Sequence, residues 1–219
     1  MLDEVSITGS RAPLAKSQAA RMVTVLEKSD IQAAPVQSVN DLLKYVAGVD
    51  VRQRGPIGAQ TDISIRGGNY EQVTILLNGI NIGDPQTGHN AFDFPVDISE
   101  IERIEVLEGA AGRVFGSSSL TGAINIVTSL PHSTSADVHV EGGSYGYASA
   151  GGRANWATGK WNNQLSAGYT RSDGYSRSKS HALNADYEGV KALYQGSFHT
   201  NALKLRWHAG VSNKDFAVP

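Results

Sequence analysis

The chain has 219 residues, no cysteine and a formal net charge of −2, with 40% hydrophobic and 18% charged residues. This composition supports a folded core and excludes wholesale disorder, disulfides and thiolate chemistry. The slight negative charge argues against a nucleic-acid partner, since phosphate-binding proteins present a basic face. No apolar run approaches the roughly 18 residues that a membrane-spanning helix requires.

The start of the chain and its middle give two further constraints. Residues 1–4 lack the basic start and apolar stretch of a signal peptide, so an exported protein is expected either to have lost its signal or to begin after it in this sequence. Composition changes near residue 130: acidic side chains exceed basic ones before it, the reverse holds after it, and all three Trp follow it. We expect a domain boundary at about 130–135.

The first half shows mixed local patterns. Ser38 or Asn40 is expected to cap a helix over residues 41–47, which Gly48 ends in a left-handed conformation. Asn78-Gly79 is the strongest hairpin dipeptide in the chain and joins the strand 73–77 to residues 80–82. Further short strands are predicted at 49–52, 63–66, 104–107 and 123–127. These elements indicate a compact α+β domain.

The second half alternates apolar and polar residues, most regularly over 203–212. Strands of about 9–11 residues with one apolar face suit the wall of an outer-membrane barrel, although a soluble β-sandwich shows the same alternation. Short connections at 158–162 and 200–202 contrast with a longer polar one at 173–180. The apolar phase changes around Gly189, for which a bulge within one strand, giving five strands, is preferred over a turn, giving six.

Several ordered motifs of the first half resemble the plug domain of TonB-dependent outer-membrane receptors. They are 38–51 (SVNDLLKYVAGVDV), 63–68 (ISIRGG), 73–79 (VTILLNG), 101–109 (IERIEVLEG), 114–116 (VFG) and 121–128 (TGAINIVT). The implied fold is an α+β plug domain over 13–130, followed over 131–219 by antiparallel β-strands of an incomplete outer-membrane β-barrel. We expect this barrel to be truncated before closure, because only closed barrels satisfy a bilayer.

The resemblance also assigns an energy-coupling segment and a docking contact. Residues 1–12 are similar to the segment that contains the TonB box, which pairs by strand addition with the periplasmic protein TonB. The residues so assigned are Asp3, Glu4, Val5, Ser6, Ile7 and Thr8. Family members dock the plug on the barrel wall through two arginines: Arg66 matches the first, Glu108 stands at the second, and Arg113 is the suggested replacement cation.

Two loops fall where members of the family touch their ligand. The residues concerned are Gln53, Arg54, Gly55, Pro56, Ile57, Gln86, Thr87, Gly88, His89 and Asn90. Their neighbourhood is most similar to cobalamin receptors of the Bacteroidetes type, and polar, glycine-rich loops suit a large amide-bearing corrinoid. A siderophore or a glycan remains an alternative, and His89 is expected to be a solvated loop residue rather than a cobalt ligand.

The implied function is TonB-driven uptake of a large scarce ligand at the outer membrane of a Gram-negative bacterium. The expected partners are TonB, a corrinoid or similar ligand, outer-membrane lipid and a surface lipoprotein. The alternative class is a soluble plug-like module that binds without transporting. No cofactor and no catalytic residue are expected, since phosphate-loop, zinc-helix and nucleophile-elbow motifs are missing from the sequence. Asp173, Asp186 and Glu188 are considered for a loop calcium site, although solvated charges are the simpler interpretation.

Overall fold

The computed structural model describes residues 6–7, 14–15, 23–53, 61–83, 94–109, 119–174 and 185–216. The chain divides into two compact units. Of the described residues, the first unit takes 23–52, 61–83 and 98–129, together with the two short strands near the start. The second takes Gln53, 94–97 and everything from Leu130 onward.

The described residues of the first unit form nine short strands and two short helices. In chain order they are β1 (Ser6–Ile7), β2 (Leu14–Ala15), β3 (Val23–Glu27), α1 (Lys28–Ala33), α2 (Val39–Leu43), β4 (Val49–Gln53), β5 (Thr61–Ile65), β6 (Val73–Leu77), β7 (Ile80–Asn81), β8 (Ile101–Glu108) and β9 (Gly122–Thr128). Single 3₁₀ turns at Tyr70–Gln72 and Ile98–Glu100 lead into β6 and β8. No helix among the described residues is long and apolar enough to cross a membrane.

The main sheet of the first unit has the order β3-β8-β9-β6-β7, and β6 and β9 run parallel in its middle. Every residue of β6 and of β9 is buried. Parallel strands covered on both faces are typically continuous apolar runs, which is why these segments are rich in Val, Ile and Leu. The core therefore centres on Ile75, Leu76, Ile124 and Ile126.

The local predictions for the first unit are largely confirmed. Ser38 caps α2, since its Oγ accepts a hydrogen bond from the Asp41 amide at 3.2 Å. Gly48 is left-handed, with φ of +82°. The α-helix itself is shorter than predicted, because after Leu43 the chain continues in turns toward Gly48. The strand β3 and the helix α1 were not predicted from the sequence.

Two turns of the first unit have the same left-handed backbone. Asn78 and Gly79 have φ of 52° and 83° between β6 and β7, which confirms the predicted hairpin. Arg66 and Gly67 follow β5 with φ of 54° and 74°, and the Gly68 amide closes their turn on the Ile65 carbonyl at 3.0 Å. Positive φ is ordinary for Asn and Gly, whereas at an arginine it costs roughly 1 kcal/mol.

The described residues of the second unit form an antiparallel meander of five strands in sequence order. The strands are β10 (Ser135–Gly142), β11 (Ala148–Thr158), β12 (Trp161–Ser172), β13 (Tyr187–His199) and β14 (Lys204–Phe216). The predicted short connections are confirmed at Gly159-Lys160 and at residues 200–203. The connection between β12 and β13 is longer, and residues 175–184 within it lie outside the described ranges.

The five predicted strands are all present in the described part of this unit, but the predicted bulge at Gly189 is wrong. β13 pairs residue by residue with β12 from Tyr187↔Ser172 to Phe198↔Trp161, without a register shift. The earlier apolar phase in the sequence included Ala185, which precedes the strand and takes no part in its alternation.

Candidate functional site

Arg66, the predicted docking residue, lies on the left-handed turn after β5. Its Nε is 3.1 Å from Oε2 of Glu108, the last residue of β8. The arginine side chain is 56% exposed and the glutamate only 7%. The Arg66 amide also donates to the Gly48 carbonyl at 3.0 Å, so the turn is fixed by backbone as well as by charge.

Glu108 stands where the resemblance leads one to expect a second arginine. Instead of a like-charged pair aimed outward, the chain has an opposite-charged pair within its first unit. Arg66 nevertheless keeps more than half of its side chain accessible. Arg113, the suggested replacement cation, lies outside the described residues, so docking through Arg66 and Arg113 stays a prediction.

A second polar cluster lies inside the main sheet of the first unit. The fully buried Glu105 accepts from Asn125 Nδ2 at 2.9 Å and from Arg103 Nε at 2.9 Å. Asn125 Oδ1 in turn accepts from the Gly79 amide at 2.8 Å. Asn78 is bound in the same way, since its Oδ1 accepts from the Thr128 amide at 3.0 Å.

These contacts hold the Asn78-Gly79 turn on the end of β9. In the chain, the turn comes just before residues 84–90, one of the two predicted ligand loops, and those residues lie outside the described ranges. Of the other predicted loop, the structure describes Gln53 alone, at the end of β4. The ligand contacts therefore stay predictions, while the support on which the second loop stands is well defined.

The predicted TonB box is described at two positions. Ser6 and Ile7 form β1 and pair antiparallel with Ala15 and Leu14 of β2. The segment thus has the extended backbone that strand addition uses. Asp3, Glu4, Val5 and Thr8 lie outside the described residues.

The five-stranded sheet of the second unit is amphipathic in the sense opposite to that of a soluble domain. Polar side chains such as Asn162, Gln164 and Gln195 are buried, each at most 2% exposed. The apolar residues between them are exposed. This exposed set contains Val138, Val140, Trp156, Trp161, Leu165, Tyr169, Val190, Tyr194, Leu205 and Val211.

The aromatic residues of this exposed face cluster near the short turns. Trp161 contacts Phe198 and Trp207, with ring centroids 4.6 and 5.8 Å apart. Trp156 stacks on Tyr194 one row further along. Aromatic rings above the turns and aliphatic side chains along the strands match the lipid-facing surface of a membrane sheet.

The opposite end of the sheet holds a polar cleft of about 430 Å³. The acidic residues considered for calcium, Asp173, Asp186 and Glu188, all line it, together with Asp215 and Arg171. Within the described part of the chain, however, no three His, Asp or Glu side chains are placed to hold a metal ion. At the same end, burial and the nearby Glu141 carboxylate raise the pKa of Tyr147, whose hydroxyl donates to Glu141 Oε2 at 3.2 Å.

The site residues that the sequence did not reveal are charged groups paired across long distances in the chain. Besides Glu105 and Asn125, Asp97 is bound by Lys191 of β13, with Nζ 3.1 Å from Oδ2. Neither member of that pair stands in a recognisable motif. The alternation of β13 placed Lys191 on the polar face, but its partner could be found only from the structure.

A small α+β domain ahead of strands with an apolar exterior and a polar buried face defines a plug-and-barrel protein of the outer membrane. Comparison with known families supports this class, since residues 15–123 match the TonB-dependent Receptor Plug Domain. The chain belongs to the TonB-dependent outer-membrane receptors, with the plug domain largely in the first unit and antiparallel barrel-type strands in the second.

Similar proteins include two curated vitamin B12 transporters, both named BtuB. The one from Vibrio vulnificus is 29% identical over 224 residues, which cover 97% of this chain and 36% of the relative. The one from Photobacterium profundum is 28% identical over the same shares. The chain therefore spans little more than a third of the length of these relatives.

Among solved structures, the pyoverdine outer membrane receptor FpvA from Pseudomonas aeruginosa PAO1 is similar with a TM-score of 0.73. The match covers 97% of this chain and 31% of that receptor at 16% identity. At that identity the likeness establishes the fold alone. The Bacteroidetes assignment made from the loop sequences is not tested by these relatives and stays a prediction.

Proposed function

We propose that this protein serves the active uptake of cobalamin or another corrinoid across the outer membrane. The observation that carries the proposal is the inverted sheet, whose exposed face is apolar and whose buried face is polar, placed after a plug domain. Such a sheet is suited to lipid on one side and to a polar interior on the other. The names of the two bacterial relatives supply the ligand class.

In this proposal the ligand binds loops of the plug and of the barrel on the outer side of the membrane. Binding favours states in which the segment around residues 3–8 is available to TonB, which then pulls on the plug. The extended backbone of Ser6–Ile7 supports this role. The buried Glu105–Asn125 cluster supports a fixed position for the Asn78-Gly79 turn and hence for the loop after it.

The test uses the intact gene product in outer membranes. Titration with cyanocobalamin should show saturable binding, and uptake should depend on TonB. A ferric siderophore is the matched control ligand, because the fold is shared with siderophore receptors. Binding of the siderophore but not of cyanocobalamin would replace the corrinoid by the alternative ligand class. Recovery of the protein in the soluble fraction without detergent would favour a binding module that does not transport.

The TonB assignment has its own test. Val5→Pro removes a backbone donor from the proposed box and should abolish strand addition of TonB. Ser17→Pro, outside the box, is the control substitution and should leave TonB affinity unchanged. Equal affinity of the Val5→Pro protein and the unaltered protein would refute the box at residues 3–8.

A further inference from the structure

Residues 94–97 belong to the second unit, although the segments on either side of them in the chain belong to the first. The chain thus enters the first unit at the Asp97–Ile98 peptide bond. Within the segment, Val96 is 1% exposed and Phe94 7%. A four-residue stretch this well covered is held by something, and its partners are residues of the five-stranded sheet.

Lys191 of β13 makes two polar contacts with the segment. Its Nζ lies 3.1 Å from Asp97 Oδ2 and donates to the Val96 carbonyl at 3.3 Å. His139 of β10 lies on the other side, with Nε2 3.8 Å from the same carboxylate oxygen. One cation therefore binds both a side chain and the backbone of the segment, which fixes its position more firmly than an ordinary surface ion pair.

The sheet is cut back beneath this contact. His139 and Lys191 belong to one row of paired residues, and the two positions between them are Gly151 and Gly168. Further along, a Cβ at Gly210 would lie 2.8 Å from Pro95 Cγ and 3.2 Å from Leu193 Cδ1. Side chains at these three positions would occupy the space that the segment and its cation now use.

We propose that residues 94–97 are a permanent attachment of the chain to the polar face of the sheet, with Lys191 as the positioning residue, and that this attachment stays closed while the plug is remodelled for ligand passage. The proposal rests on the proposed transport function for its second clause only. A segment with a buried apolar residue, a doubly bound cation and a floor of glycines is built to stay in place. Remodelling is then confined to the first unit.

The chain has no native cysteine, so a designed disulfide can test the attachment without background. Pro95 Cβ is 3.0 Å from a Cβ built at Gly210, within reach of a disulfide after a small adjustment. The Pro95→Cys/Gly210→Cys protein should oxidise to a closed form, seen by mass after alkylation. Failure to close under oxidant would overturn the attachment itself, whatever the protein transports.

The same variant tests whether the attachment stays closed. Oxidised and reduced proteins should take up cyanocobalamin at rates within about twofold of each other, since a tether across an unchanging contact leaves the cycle free. Uptake that stops on oxidation and returns on reduction would overturn the proposal. Ser149→Cys/Thr170→Cys, a pair within the sheet whose hydroxyl oxygens are 3.0 Å apart, is the matched disulfide control. If the unaltered protein takes up no cyanocobalamin, the transport proposal fails, while closure still reports on the attachment.

The role of Lys191 is read from the rate of disulfide closure, which reports on this segment rather than on global stability. Lys191→Met should slow closure by about tenfold, as expected when a charge-assisted hydrogen bond is lost, and Lys191→Arg should restore most of it. Arg153→Met is the control, because Arg153 pairs with Asp137 at 3.0 Å on the same sheet. Equal closure rates for Lys191→Met and Arg153→Met would remove Lys191 as the positioning residue.

Discussion

Arg66 and Glu108 form an ion pair of 3.1 Å in which the cation is half exposed and the anion nearly buried. The pair joins the left-handed turn after β5 to the end of β8. Because the two side chains are so unequally solvated, they contribute unequally when removed. Losing the arginine strands a buried carboxylate, whereas losing both charges removes the problem together with the contact.

We therefore predict that Arg66→Met lowers the free energy of unfolding by about 2 kcal/mol, and that Arg66→Met/Glu108→Gln recovers about half of the loss. Urea unfolding with a double-mutant cycle measures both. Arg52→Met is the control, since its pair with Asp50 is largely exposed and should contribute nothing measurable. Additive losses in the double variant would contradict the coupling.

A larger loss is expected at the buried cluster. Asn125→Leu removes the donor to Glu105 and the acceptor of the Gly79 amide at similar side-chain size. We expect destabilisation by about 2–4 kcal/mol, because a buried carboxylate and a buried amide each lose a partner. Asn213→Leu, at an exposed asparagine of β14, is the control. Hydrogen exchange at Gly79 should accelerate in Asn125→Leu, and an unchanged rate would show that another group holds the turn.

The sequence predicted those parts of the fold that depend on neighbours in the chain. Alternation set the strands of the meander, the Asn-Gly dipeptide set the hairpin, and Gly48 marked its own left-handed conformation. What it did not reveal depends on distant partners. β3 is ordered by pairing with β8 far along the chain, and Asp97 looked like a loop residue until Lys191 was placed beside it. The ligand loops, predicted by resemblance, await direct measurement.

Gly122 begins β9 at a point of close backbone approach. A Cβ there would lie 2.6 Å from the Leu107 carbonyl oxygen and 2.8 Å from Ile65 Cδ1. Because the backbone oxygen is fixed by the β8–β9 pairing, Gly122→Ala should destabilise the plug by about 1–3 kcal/mol. Gly142→Ala is the matched control, since no atom lies within 4 Å of its added Cβ. Thermal unfolding of the two variants decides the point, and equal midpoints would contradict it.

The lipid-facing surface can be tested by one substitution at two positions. Leu165 and Leu203 are both 49% exposed, but Leu165 lies within β12 and Leu203 just before β14, at a short turn. Leu165→Arg should destabilise the membrane-embedded protein by about 2–4 kcal/mol and Leu203→Arg by at most about 1 kcal/mol. Unfolding from lipid bilayers gives both values. Equal tolerance of arginine at the two positions would mean that this face meets water.

The order of strands in the main sheet of the plug has a consequence for how the protein is made. β9 pairs with both β6 and β8 at the centre of the sheet, yet it is the last of the five strands to be synthesised. Until it arrives, the fully apolar face of β6 has no partner on one side. The meander, by contrast, grows from hairpins between successive strands. Newly exported chains should therefore spend time with sticky, half-built plugs, and periplasmic holding chaperones should bind them at β6 and β8.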